Sequence, residues 1–187
     1  MHEHSPSHVD ASGPAADVPG ADVTGADVPA DDDIISEERV VIRRVPGGGV
    51  DVPVSLRWGD MDLNHHVNNV VIARIFEESR IRALATWFRR DIGAVRPVTV
   101  VARQDIEFRV PLMYSFAPAR VVVSVGRVGT KSVTIGGQLY SAHGELCAIA
   151  RTVLVAIDRE SGASQHLADE VKAVFENWRG PLPDLKG

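Results

Sequence analysis

Arg57-Trp58-Gly59-Asp60-Met61-Asp62-Leu63-Asn64-His65-His66-Val67-Asn68-Asn69 runs straight into Val70-Val71-Ile72-Ala73-Arg74-Ile75-Phe76-Glu77-Glu78-Ser79-Arg80. The first part, Gly59–Asn68, reads as a polar loop crowded with carboxylates, imidazoles and carboxamides. The second opens a helical pattern predicted over Asn69–Arg90, the one long helix in the middle of the chain. Ile72, Ile75, Phe76, Ser79, Ala83 and Trp87 fall on one stripe, and Arg74, Glu77, Glu78 and Arg82 fall largely elsewhere. Asn68 suits the N-cap, and Gly93 suits a stop after the last turn.

Outward from this stretch the chain turns β. Before it, Val50–Trp58 alternates, with Val50, Val52, Val54, Leu56 and Trp58 on one face, as in a half-buried strand. Glu38–Val45 is expected to be a strand as well, joined to it by the turn Pro46-Gly47-Gly48-Gly49. After it, Val98–Val110, Arg120–Val128, Ser132–Ala142 and Glu145–Ile157 are rich in valine and other β-branched residues, and we expect them to form an antiparallel meander. Ala168–Trp178 has the pattern of a short amphipathic helix. This order of strand, helix and strands gives an α+β fold rather than alternating βαβ units.

The 187 residues suffice for one domain with a tail to spare. Residues 1–37 repeat Ala-Asp-Val-Pro/Thr and lack apolar periodicity, so we expect a disordered acidic tail before a folded domain at 38–187. Residues 1–38 hold ten carboxylates and no Lys or Arg, leaving 20 basic against 15 acidic side chains in the rest. A basic folded part suits a ligand with several phosphates or an acidic carrier protein, and equally an ordinary solvated surface. No apolar run approaches the roughly 18 residues needed to cross a bilayer, and no basic start followed by an apolar stretch suggests a secretory signal. We therefore expect a cytoplasmic protein with neither a membrane nor a nucleic-acid partner. The single cysteine, Cys147, lies in an apolar run and reads as a small buried side chain.

The loop carries the chemistry. It delivers its polar groups to the start of a helix, where unpaired N–H groups and the positive end of the dipole favour developing negative charge. A carboxylate there can attack a carbonyl or activate water. Asp60-x-Asp62-x-Asn64 copies half of a calcium loop, but His65 stands where glycine is required and Val71 where glutamate is. Adjacent His65 and His66 point opposite ways on an extended chain and lack a cysteine partner, which argues against zinc. Helix capping and turn formation alone would account for Asn68, though not for the whole cluster.

Residues Arg57–Arg80 closely resemble the signature of hotdog-fold thioesterases of the 4-hydroxybenzoyl-CoA type. That signature is an aromatic–Gly–Asp–x–Asp loop, His–Val–Asn–Asn, then a helix with an aromatic–Glu–Glu element. Ile106–Leu112 resembles the family's second-strand element, and Val128–Ser132 its following turn. The resemblance spans roughly residues 38–160. It implies one long helix wrapped by an antiparallel sheet, with the active site at a subunit interface.

Position by position, the resemblance implies that Asp62 is the catalytic carboxylate, as nucleophile or general base. The Asn69 backbone N–H would polarise the thioester carbonyl, and Asn64 and His66 would orient water. Asp62-x-Asn64-x-His66 is also similar to the Asp, Asn and His of plant acyl-carrier-protein thioesterases. Those enzymes add a Glu and a Cys where this chain has Val100 and Ala102. The acyl group would lie along Ile72, Ile75 and Phe76, and Arg109 and Lys131 would meet the carrier's phosphates.

The substrate implied is a thioester of coenzyme A or acyl carrier protein, hydrolysed without metal or redox cofactor. Tyr114-Ser115-Phe116-Ala117-Pro118 departs from the family's usual Gly-Asp turn, which suggests an altered acyl pocket. Two other readings stay open, an enoyl-CoA hydratase or dehydratase of the same fold and a non-catalytic acyl-binding protein. A homodimer or homotetramer is expected, because one helix covers only part of one face of so valine-rich a sheet.

Overall fold

The computed structural model describes residues 42–90 and 95–186. The expected acidic tail, the start of the expected Glu38–Val45 strand and the Gly93 stop lie outside the described residues. Strand β1 is Arg43–Arg44, β2 Val50–Val54, helix α1 Asn69–Arg90, β3 Thr99–Phe108, β4 Ala119–Val128, β5 Ser132–Tyr140, β6 Leu146–Ala156 and helix α2 Asp169–Asn177. The strands form one antiparallel sheet in the order β1-β2-β4-β5-β6-β3. A long helix laid against an antiparallel sheet is the α+β hotdog architecture that the resemblance implies.

The helical stripe does what its spacing predicts. Ile72, Ile75, Phe76, Ser79, Ala83 and Trp87 are all buried, against Val52, Val121, Val123 and Ile135 of the sheet. Phe76 lies over Gly137, where an added Cβ would come within 2.8 Å of Phe76 Cδ1, so this strand position has room for hydrogen alone. Trp87 stacks on Trp178 with centroids 6.0 Å apart and meets Phe175 edge-on, which seats α2 against the far end of α1.

Two expectations need correction. The strand predicted over Val50–Trp58 stops at Val54, and Trp58–Asp60 is a 3-10 turn that leaves Trp58 72% exposed. Its cause is Asp60, whose carboxylate accepts the Arg57 N–H at 2.8 Å while its own N–H donates to the Arg57 carbonyl. Secondly, β3 is not part of the meander. It pairs with β6, from Thr99↔Ala156 to Phe108↔Ala148. The β4 edge is already taken by β2, through Val50↔Val123 to Val54↔Ala119, so β3 crosses over to the edge left open. Arg80, four residues after Phe76 and so at the edge of the apolar stripe, is buried as well, with Thr152 Oγ1 3.4 Å from Nη1. Burial lowers its affinity for the proton, and nearby Glu77 opposes that shift.

The sheet face turned away from α1 carries the chain's own C-terminus. Gly180 donates to the Val125 carbonyl, and Ser124 Oγ donates to the Pro181 carbonyl. Leu182 fills a notch over Gly126 and Gly136, where a Cβ would stand about 2.5 and 2.9 Å from its atoms. Arg151 donates to the Pro183 carbonyl at 2.9 and 2.7 Å. Part of the apolar area that sequence alone assigns to a partner is thus covered within the chain. What stays open is the β3 edge, where Val100 and Val101 are about half exposed.

Candidate active site

Asp60 and Asp62 stand two residues apart and differ in every contact. Asp60 is 8% exposed; one carboxylate oxygen accepts from Arg74 Nη2 at 2.9 Å, the other accepts the Arg57 N–H, and its carbonyl accepts the Asn68 N–H. It binds the loop to α1. Among the described residues no Lys or Arg pairs with Asp62, and His66 Nδ1 is 3.7 Å from Asp62 Oδ1, beyond hydrogen-bond length. Its carboxylate accepts the Asn64 N–H at 2.8 Å.

The loop is closed at its base. Met61 and Val67 form an antiparallel bridge, the Asp62 N–H donates to the His66 carbonyl, and the His65 N–H donates to the Asp62 carbonyl. His65 turns the chain at φ 63°, in the left-handed region. Its exposed side chain therefore leaves the site while that of His66 enters it. The Val67 N–H donates to the Leu112 carbonyl at 2.8 Å and ties the loop to the segment after β3.

Asn68 is the N-cap of α1, its Oδ1 accepting the Val70 N–H at 2.8 Å and its carbonyl the Ile72 N–H. The N–H of Asn69, first residue of the helix, finds no acceptor among the described residues.

These groups converge on a groove of about 500 Å³. Asp62, Asn64, His66 and Asn69 line one side with Val67 and Ile72, and Phe108, Arg109, Val110, Pro111 and Leu112 line the other. A carboxylate and a free helix-start N–H thus face a single space, with apolar walls on both sides. Such a site can hold a carbonyl at the helix end while the carboxylate attacks it or a water.

Of the side chains expected to bind substrate, Ile72 and Arg109 reach the groove. Ile75 and Phe76 lie in the core behind it, 2% and 3% exposed. Lys131, at the β4–β5 turn, donates to Ser164 and is not part of the groove. Sequence reasoning did not single out Phe108, Val110, Pro111 and Leu112 as site residues, although Ile106–Leu112 carried part of the resemblance and could have marked them. The unusual Tyr114–Pro118 loop lies off the groove. Tyr114 packs edge-on between Trp58 and Phe116, at centroid distances of 5.4 and 5.5 Å.

Cys147 is fully buried, with Sγ 3.4 Å from the Glu145 carbonyl, and burial pushes its thiol pKa up. Among the described residues no group of three or more His, Cys, Asp and Glu side chains is placed to hold a metal ion, and no helix is long and apolar enough to cross a membrane.

Comparison with known proteins bears on the same region. The model of a family described as the thioesterase-like superfamily matches residues 56–175. The YsmA protein of Bacillus subtilis, itself uncharacterised, is 30% identical over 130 residues, covering 67% of this chain and 84% of its own. Among solved structures, a Thermus thermophilus thioesterase complexed with coenzyme A and zinc is 26% identical with a TM-score of 0.59. That match covers 71% of this chain and 95% of that one. The PA5185 protein of Pseudomonas aeruginosa, 22% identical, shares the fold with a TM-score of 0.63 over 76% of this chain and all of its own.

Proposed function

The chain belongs to the thioesterase-like superfamily, and from that premise we propose that it hydrolyses an acyl thioester of coenzyme A or acyl carrier protein in the groove beside α1. The observation that carries this reading is the pairing of Asp62, a carboxylate free of strong partners, with the unpaired helix-start N–H of Asn69 in one groove. The thioester carbonyl accepts the Asn69 N–H, which stabilises the oxyanion as it forms. Either Asp62 attacks the carbonyl carbon and forms an anhydride that water then hydrolyses, or it takes a proton from a water that attacks directly. In both cases the C–S bond breaks and the carrier thiolate takes up a proton that originates from that water. Asn64 and His66, on the same wall, orient that water. Ile72 and the apolar residues from Phe108 to Leu112 receive the acyl group, and Arg109 stands at the rim for the carrier's phosphates. The solved relative bound to coenzyme A supports the choice of carrier.

The assembly belongs to the same proposal. Strand β3 pairs on one side only and exposes Val100, Val101 and Phe108, next to the groove-lining Val110. A second copy joined there would cover this edge and bring its own residues to the groove mouth.

The test is thiol release from a panel of acyl-CoA substrates. Asp62→Ala and Asp62→Asn should fold normally and lose about 100-fold or more in kcat. Near-normal turnover by a well-folded Asp62→Ala protein would remove Asp62 from the mechanism. An absorbance change at the acyl double bond without thiol would point to a hydratase, and binding without either to a non-catalytic acyl-binding protein.

A further inference from the structure

The C-terminal segment, Arg179–Lys186, crosses the outer face of the sheet from β4 over β5 and β6 to β3. Its first part is explained by packing, since Leu182 and Pro183 fill the space that Gly126 and Gly136 leave open. Its last part is not. Asp184 and Lys186 are exposed, yet the main chain here makes two directed contacts, one with the groove-lining Arg109 and one with Glu107 two residues before it. The Asp184 carbonyl accepts from Arg109 Nη2 at 3.1 Å, and the Lys186 N–H donates to Glu107 Oε2 at 2.9 Å. Glu107 Oε1 in turn lies 3.1 Å from Arg109 Nε.

Arg109 is thereby held from two sides by groups that the strap supplies or fixes. A guanidinium carries five N–H donors in a rigid fork. One faces Glu107 and one Asp184, which leaves three for an anion. A free arginine on an edge strand would sample many rotamers, and ordering it on binding would weaken affinity.

We infer that the strap is a positioning element for Arg109, which makes the site selective for a phosphate-bearing carrier over a carrier lacking phosphates. The inference rests on the reading of the groove as a thioester site, with Arg109 at its rim. Asp184 acts through its carbonyl, so its side-chain identity is immaterial, and Lys186 acts through its N–H.

The test compares the full chain with a chain ending at Pro183, which keeps Leu182 and Pro183 seated. Calorimetry with coenzyme A and with pantetheine gives binding apart from turnover, and kinetics with acyl-CoA and acyl-pantetheine give the KM-against-kcat split. The shortened chain should bind coenzyme A about tenfold more weakly and show a matching rise in KM for acyl-CoA. Its pantetheine affinity, its kcat and its melting temperature should barely change.

Arg109→Ala should weaken coenzyme A binding by itself, and adding it to the shortened chain should cost nothing more, because the two changes remove one interaction. Asp184→Ala should be silent. Lys186→Pro, which deletes the N–H without shortening the chain, should reproduce part of the loss and serves if the shortened chain melts without a cooperative transition. Unchanged coenzyme A affinity in both strap variants, equal weakening for pantetheine, additivity with Arg109→Ala, or a full chain that does not bind coenzyme A would each overturn the inference. A full chain that binds coenzyme A but releases no thiol from any acyl-CoA would instead overturn the thioesterase reading, and the strap would still be judged by the affinities.

Discussion

At the scale of single residues, Asp60 has both carboxylate oxygens committed, to Arg74 and to the Arg57 N–H, while Asp62 keeps its carboxylate for the groove. Asp60→Ala strips a buried carboxylate's pairing with the half-exposed Arg74 and a turn-closing bond. It should lower stability by about 1–3 kcal/mol, with kcat falling only as far as the loop loosens. Asp62→Ala, at a half-buried position where the carboxylate accepts only the Asn64 N–H and pairs with no arginine, should cost about 1 kcal/mol or less. Thermal melts of the two variants decide the matter: equal losses would mean that the two carboxylates share the structural work. Within the sequence these aspartates are told apart only by family resemblance, because nothing local in Gly-Asp-Met-Asp-Leu says which of them Arg74, fourteen residues on, will reach. The burial of Arg80 is hidden by its residue type, since helical spacing sets it four residues after Phe76, at the edge of the apolar stripe, where a charged side chain is not expected.

At the scale of elements, α1 was legible down to both ends, since its stripe, its N-cap Asn68 and its apolar content all agree with a helix over Asn69–Arg90. The β strands were legible as segments but not as a sheet. Alternation tells which residues face the core, but the partner of β3 depends on which edges the other strands leave free. The strap Arg179–Lys186 gave no signal at all, because Pro-Leu-Pro-Asp-Leu-Lys has neither period, and its partners are glycines in distant strands. Helix and sheet meet most closely where Phe76 crosses Gly137. Gly137→Ala should therefore push the helix off the sheet or force Phe76 from its rotamer, at about 1–3 kcal/mol. A Phe76→Leu change in the same chain should recover part of that loss. Melting temperatures check both, and an unshifted Gly137→Ala protein would show that the contact yields freely.

For the whole molecule, the proposed oligomer rests on a narrower basis than composition suggested. The outer sheet face is partly roofed by the strap, so the argument now rests on the β3 edge and its exposed Val100, Val101 and Phe108. Light scattering at micromolar protein should give at least twice the 20.2 kDa of one chain, and a charge placed by Val101→Lys should shift it toward that single-chain mass and lower turnover with it. A fully active single chain would separate the site from any interface. A different property of the molecule follows from Cys147, the one cysteine in the chain, buried and held in its protonated form by that burial. The proposed reaction sets free a thiol at every turnover, and thiol–disulfide exchange proceeds through an accessible thiolate. This protein offers none, so it can work in the presence of its own product, reduced or oxidised, without becoming covalently tethered to it.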